Sequence, residues 1–353
     1  MRHRAFPGRG PEVEARYQRA GQWLLATIYH NEKAAAWCRA NGVPITRAAG
    51  ETIDSSGGFL VPIDLANAIL DLRDLYGAFR RRARIVPMAS DNTTVPRRPG
   101  GTGAYFIGEN NLNTETLANA DAINLTAKKI GSLIRISSEV EDDAAVDMVD
   151  FVANEIAWAF ANQEDLCAFN GDGSSTYGRM RGLATLALDG NHGKAKVTAA
   201  SGHNTYNTID TTDIGSLMGA VRASALANAA WFVSQIGFAN AFCRLSSGTA
   251  GGYLETRMVD GILTPCYLGF PVILTQAFPQ ITTTLSGKVM LAFGDMYAGG
   301  ALGQRRAITL ARSDQRYLDQ DQIAILGTER FHAVIHDMGD NTNFGSLAAL
   351  VGN

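Results

Sequence analysis

Residues 137–173 read SSEVEDDAAVDMVDFVANEIAWAFANQEDLCAFNGDG, the strongest helix signal in the chain. Ser137 or Ser138 is placed to cap it, and Glu139, Glu141, Asp142 and Asp143 complement the positive end of its dipole. Val149, Val152, Ile156, Phe160, Gln163, Leu166 and Cys167 recur at 3–4 spacing as a mostly apolar stripe. About 30 residues of helix are about 45 Å long at ~1.5 Å per residue. Asn170-Gly-Asp-Gly is the turn that ends it.

On its N-terminal side the period is that of strands. Arg84-Ile-Val-Pro-Met and Thr93-Thr-Val-Pro-Arg read as short strands whose prolines suit edge positions. Pro99-Gly-Gly-Thr-Gly is a turn, Tyr105–Ile107 a further strand, and residues 109–121 are too polar to pack a core. Ile123–Leu125 resumes the strand pattern, which runs on through Leu133-Ile-Arg-Ile. The simplest account is a long hairpin with a polar tip over residues 94–126. An isolated two-stranded hairpin is marginal in water, so this one needs something to lie on.

Further upstream, residues 12–40 read as one helix through Tyr17, Trp23, Leu24, Ile28, Tyr29 and Trp37, stopped by Asn41-Gly42 and Pro44. Residues 45–58 form a polar linker. A short helix follows Pro62, with Leu65, Ile69, Leu72 and Leu75 on one side. Downstream, residues 171–210 are loop-rich. A helix is expected from Thr211 to about Asn228, a strand at Trp231-Phe-Val-Ser, and a helix from Gly237 to Leu245. Gly269–Thr275 and Val289–Phe293 read as buried strands, and strand alternation continues at Ala307–Leu310, Gln322–Leu326 and Phe331–His336. The fold class is α+β, with no repeated βαβ unit.

At 353 residues the chain exceeds the ~250–300 at which a single core stops growing, so more than one substructure is expected. Charged residues make up 18%, below the ~25% of a typical soluble domain. A low-charge surface suits a protein largely covered by neighbours. The net charge of −3 is unevenly spread: residues 1–50 hold eight Lys/Arg against three Glu, a net +5, which leaves −8 for the rest. That segment reads either as a basic arm facing a polyanion or as a solvated helix with spare arginines. Cys38, Cys167, Cys243 and Cys266 are scattered with no Cys-x-x-Cys pair, as expected of free thiols in a reducing compartment. No apolar run approaches the ~18–20 residues needed to span a bilayer. The N-terminus lacks the apolar core of a signal peptide.

Searches for catalytic chemistry return little. There is no G-x-x-x-x-G-K-[ST] and no G-x-S-x-G. Asn170-Gly-Asp-Gly-Ser-Ser lacks the later acidic positions of a calcium loop and reads as a plain turn. His332 and His336 lie in a strand-like pattern, where four residues span about 13 Å and a shared metal is out of reach. The chain is expected to be no enzyme and to hold no metal or cofactor.

Several stretches stand in a telling order. They are Ser56-Gly-Gly-Phe-Leu-Val-Pro, Arg82-Ala-Arg-Ile-Val-Pro-Met, Val95-Pro-Arg-Arg with Ala104-Tyr-Phe-Ile-Gly-Glu, and Leu125-Thr-Ala-Lys-Lys-Ile. Ile136-Ser-Ser-Glu-Val, Phe169-Asn-Gly-Asp-Gly, Leu268-Gly-Phe-Pro-Val, Phe293-Gly-Asp and Arg330-Phe follow. Each is weak alone, but their order and spacing over residues 56–340 resemble the tailed-bacteriophage major capsid protein family, whose shell fold is called the Hong Kong 97 type.

The resemblance implies an N-terminal arm over residues 1–58. It implies a peripheral domain over 59–93, 127–189 and 301–338, with the 138–168 helix as its spine. An extended loop at 94–126 would lie across a neighbouring subunit, and an axial domain would occupy 190–300. Residues 339–353 would form a C-terminal segment returning to the axial domain. The implied function is an icosahedral shell of hexamers and pentamers around non-specifically held double-stranded DNA, in the virion and assembled in the host cytoplasm. Portal protein and a separate scaffold would be its partners, and no membrane. An encapsulin-like compartment around cargo enzymes is the runner-up, and a small soluble hydrolase a distant third.

The expected interface residues on the loop are Arg97, Arg98, Glu109 and Glu115. Arg80, Arg81, Arg82 and Arg84 form the densest basic cluster and face either DNA or an acidic neighbour, unless they are simply solvated. Arg16, Arg19 and Arg39 on the arm are candidates for DNA contact. Two departures stand out. Some relatives weld subunits through a loop lysine and an asparagine near the C-terminal end, but no lysine lies between Lys33 and Lys128. Asn341 and Asn343 are therefore expected to be ordinary loop residues. Only about 55 residues precede the shell domain, so either a separate scaffold exists or the 12–40 helix is a retained arm.

Overall fold

The computed structural model describes residues 19, 22, 26, 32–43, 77–97, 121–247, 254–259, 262–320 and 322–353. The helix expected after Pro62, the strand at Tyr105–Ile107 and the tip of the long hairpin lie outside the described residues. Helix α1, Glu32–Ala40, ends at Asn41, where Gly42 takes a φ of +68° that suits glycine. Helix α2 is Ala78–Arg82, followed by strands β1 (Arg84–Pro87), β2 (Asn92–Arg97), β3 (Asp121–Thr126) and β4 (Lys128–Ser137). The long helix α3 runs Ser138–Asn170 over 33 residues, so the opening reading holds in full.

After α3 come α4 (Leu183–Leu188), β5 (Lys196–Thr198), α5 (Thr211–Gly219), β6 (Ala230–Val233) and a helical stretch over Gln235–Ser247. Strands β7 (Leu254–Val259), β8 (Ile262–Tyr267), β9 (Phe270–Leu274) and β10 (Val289–Gly294) follow. The chain closes with β11 (Gly300–Tyr317), β12 (Gln322–Ile335) and β13 (Leu347–Val351).

Three sheets result. A four-stranded sheet has the order β1-β11-β12-β4 and a seven-stranded sheet the order β5-β13-β10-β6-β9-β8-β7; β2 and β3 pair with each other. Pro87 thus sits on an edge strand, where no ladder bond needs its missing N–H. The inner strands β6, β10 and β13 are buried at every residue, which is why they read as unbroken apolar runs.

Two aromatic clusters cover the two faces of the seven-stranded sheet. On one face Phe169, near the end of α3, meets Phe79 (6.2 Å), Phe232 (5.7 Å) and Phe278 (5.3 Å). On the other, Trp231 stacks at 4.1 Å on Phe293 and donates its indole N–H to the Tyr267 carbonyl at 3.1 Å. The α3 stripe is buried at Val152, Ile156, Phe160 and Cys167. At its end, a Cβ on Gly171 would lie 2.5 Å from the Cys167 carbonyl and 2.6 Å from that of Met180, so the turn admits no side chain there. All four cysteines are free thiols.

The structure corrects four sequence-based expectations. The strand read continuously from Ile123 to Ile136 is two strands, broken at Ala127, whose N–H turns to the Asp91 carbonyl at 2.8 Å. β3 then pairs with β2, and β4 with β12. The helix expected to reach Asn228 ends at Gly219; Arg222 donates its N–H to Gly345 O at 2.9 Å, and a separate 3₁₀ turn spans Ala223–Asn228. The three strands expected beyond Ala307 are two, β11 and β12, because irregularities between Gln304, Arg306 and Thr309 interrupt the alternation that patterning follows. Finally, the loop-rich span 171–210 contains α4 and β5. The C-terminal strand β13 lies between β5 and β10, inside the seven-stranded sheet.

Candidate assembly interface

Strands β2 and β3 form a stalk in register from Asn92↔Thr126 to Arg97↔Asp121. Leu125 and Met88 are buried beneath it over Gly303, where an added Cβ would lie 2.6 Å from the Met88 sulfur and 3.1 Å from Leu125. Glycine is what lets the stalk sit on the four-stranded sheet. Two ionic clamps hold it down. The Asp91 carboxylate accepts from Arg330 at 2.9 and 3.1 Å and from Arg305. At the other end, Arg97 donates to Asp121 at 2.8 Å and to the carbonyl of His336, just past β12.

Arg97, expected to reach a neighbour, is therefore committed to its own subunit. Arg98, Glu109 and Glu115 lie outside the described residues, as does Arg16. Arg19 and Arg39 are helical and exposed.

The arginine cluster divides. Arg81 and Arg84 are exposed and Arg82 is half-buried, but Arg80 is 4% exposed, which corrects its reading as a DNA-facing or interface residue. It pairs with the fully buried Glu164 of α3 at 3.2 Å and donates to Gln304 at 2.8 Å; Gln304 in turn donates to the buried Glu329 at 3.1 Å. A guanidinium stays in such a site because partners replace its water. Next to it, the Asp165 carboxylate accepts the N–H groups of Ala78 (2.9 Å) and Phe79 (2.8 Å), so α3 caps α2. Charge density alone could not separate Arg80 from its neighbours; Glu164 comes near only when the chain folds.

No catalytic array emerges. His203, Asp210 and Asp213 place ligand-type atoms within 4.8 Å of one another. Their bonds account for that: Asp210 and Asp213 form the capping box of α5, and Asp213 also accepts from His203 at 2.6 Å and from Ala200 N–H at 2.9 Å. Asn341 accepts from Gly193 N–H at 2.7 Å and donates to Gly190 O at 3.2 Å, while Asn343 closes a turn on Asp340, both as loop residues do. Among the described residues no helix is long and apolar enough to cross a membrane. The β7–β8 hairpin, absent from the sequence reading, ends in the exposed cross-strand pair Met258 (66%) and Leu263 (69%).

Acid is expected to loosen the stalk's support. Burial holds His332 and His336 neutral, with both pKa values lowered to about 4; Lys128 adds to the effect at His332, and Arg97, Arg84 and Arg222 at His336, against Asp337. Unfolded histidine takes its proton near 6.5, so this stability is complete above about pH 6.5 and lost as pH falls toward 4. Asp165 runs the other way, since burial raises it to about 6 against the pull of its bonded amides. Two groups outweigh one. The melting temperature should fall between pH 6.5 and 4.5, and the double variant H332N/H336N should flatten that slope; an unchanged slope would remove the histidines from the account.

The chain belongs to the phage capsid family: residues 57–338 match the model of that family. Its α+β fold is shared with solved capsid structures of the Hong Kong 97 type. The capsid of an empty GTA particle computed with C5 symmetry superposes with a TM-score of 0.58 at 19% identity, covering 89% of this chain and 97% of that one. A chain of Mycobacterium phage Bobi gives 0.55 at 18% identity, covering 88% and 96%. The major capsid protein of Klebsiella oxytoca phage phiKO2 is 29% identical over 237 residues, 67% of this chain and 52% of that protein. The chain thus spans about half the length of that curated relative.

Proposed function

We propose that this chain is the shell-forming subunit of a tailed phage, or of a related particle, which self-assembles into an icosahedral capsid around double-stranded DNA. The match of residues 57–338 to the phage capsid family carries this reading. In it, α3 with the four-stranded sheet is the peripheral domain, and the seven-stranded sheet is the axial domain that closes rings of five or six copies. The stalk supports the reading further. It is fixed to its own subunit at Asp91 and Arg97, so residues 98–120 leave the body from a rigid root, as a loop reaching a neighbour requires. The arm, with its +5 charge, would face the packaged DNA through Arg16, Arg19 and Arg39, in contacts that are independent of sequence and weaken with salt. Arg81, Arg82 and Arg84 remain candidates for DNA or an acidic neighbour. Portal protein and a separate scaffold would complete the partners.

Electron microscopy of the purified protein tests this. Closed shells of phage size are expected, and a small discrete oligomer would overturn the reading. Uniform small shells filled with cargo protein would instead place the chain among encapsulin-like compartments. Because the loop has no lysine, the shells should be held non-covalently. Boiled and reduced particles should run as one band near 37.7 kDa; a ladder of linked oligomers would show a covalent weld.

A further inference from the structure

We propose that the open face of the four-stranded sheet, at Lys129, Leu133 and Arg135 of its edge strand β4, seats residues 98–120 of a second copy of this chain, with Glu109 and Glu115 paired to those two cations. The proposal rests on the shell reading above and specifies the surface that receives the loop.

Side chains alternate along β4. Ile130 packs toward the core shared with α3, whereas Lys129, Gly131, Leu133 and Arg135 are exposed on the opposite face, Leu133 by 42%. Across the ladder Lys129 stands opposite Arg330 and Leu133 opposite Leu326. Arg330 is neutralised by Asp91. Among the described residues, no carboxylate pairs with Lys129 or Arg135. The Arg135 guanidinium lies 5.2 Å from the Tyr317 ring centroid, with Arg316 at 5.5 Å from the same ring, a contact that orients the cation without cancelling its charge. The face therefore offers two uncompensated cations about 20 Å apart at ~3.3 Å per residue, with an exposed leucine between them.

Residues 98–120 have the matching chemistry. After Arg98 the segment holds no Lys or Arg, and its only charges are Glu109 and Glu115. Their separation equals that of Lys129 and Arg135, and an even spacing puts both carboxylates on one side of an extended segment. The chain's own loop is badly placed to supply them. The stalk delivers it at the His336 end of β12, while Arg135 stands opposite Ala324, roughly 40 Å back along that strand at ~3.3 Å per residue. A loop fully extended to Glu109 is only about that long, and it would have to double back over its own stalk. A second copy meets no such constraint. A DNA backbone would use the cations but has no need of Leu133.

Charge exchange tests the pairing. Subunits carrying E109K/E115K, or K129E/R135E, are expected to lose shell yield at least tenfold by sedimentation and electron microscopy, with melting temperature unchanged. The milder K129Q/R135Q should fall between these and wild type. Combining E109K/E115K with K129E/R135E should restore at least half the wild-type yield. Normal yield from either charge-reversed pair, or failure of the combination to recover, would overturn the proposal. K129E/R135E shells that form normally but lose DNA would also overturn it and give the face to nucleic acid. Each of these results presupposes wild-type shells, whose absence would defeat the shell reading itself and not this contact alone.

Discussion

Replacing residues 98–120 with Asn-Gly is expected to leave a folded subunit that forms no shells at all. Arg97 and Asp121 are directly paired across the ladder, so a two-residue turn can close the stalk between them, and Asn-Gly has the left-handed preference such turns demand. The contacts that hold the stalk, Leu125 and Met88 over Gly303, the Asp91 clamp and the Arg97 clamp, all lie outside the replaced residues. The melting temperature should therefore stay within about 3 °C of wild type, a shift that corresponds to under about 1 kcal/mol for a chain of this size. Assembly should fail because the removed segment is what a neighbour receives. Normal shells from the shortened protein would remove the loop from the mechanism. Had the cut been placed by sequence alone, at 100–122, it would have taken Asp121 and Ala122 from β3 and opened the stalk. Loss of assembly would then have been uninterpretable.

Arg80→Ala is expected to cost about 3–5 kcal/mol of stability, the range for breaking a buried ion pair from one side. The change leaves Glu164 at 0% exposure without the guanidinium 3.2 Å away and takes a donor from Gln304. Urea unfolding would read this as a lower midpoint with little change in slope. Arg84→Ala, on an exposed side chain of β1, should stay within about 0.5 kcal/mol. The double variant R80M/E164L should recover much of the loss, because an apolar pair of similar volume avoids the desolvation of both charges. If Arg80→Ala proves as mild as Arg84→Ala, the buried network contributes little and the cluster acts as one solvated patch after all.

The contrast between these two arginines shows where patterning stops being informative. Arg80, Arg81, Arg82 and Arg84 are equivalent as a run of charge. Their fates separate only because α2 presents Arg80 to α3, where Glu164 arrives from a position 84 residues later. Arg97 is similar: its paired residue Asp121 and the His336 carbonyl come from 24 and 239 residues away, so a residue expected to face outward is held at home. The missed elements have related causes. β7 and β8 are largely exposed on both faces, so they carry little of the alternation that marks a half-buried strand. β13, Leu-Ala-Ala-Leu-Val, is a short apolar run that periodicity cannot tell from helix.

What the sequence determined by itself is local and periodic. It set the long helix ending at Asn170-Gly171, the buried character of β6, β9 and β10, the proline-bearing strands at the root of the hairpin, the free thiols, and, through the order of short motifs, the family. These follow from spacing, turn chemistry and burial preference, which act over a few residues. Only the tertiary structure decided which strands share a sheet, that β13 enters the seven-stranded one, that the strand path breaks at Ala127, and which charges face inward. Those outcomes depend on partners brought together from distant parts of the chain. A buried charge or a ladder partner is settled by what desolvates it and what bonds to it, and neither is written in its neighbours along the sequence.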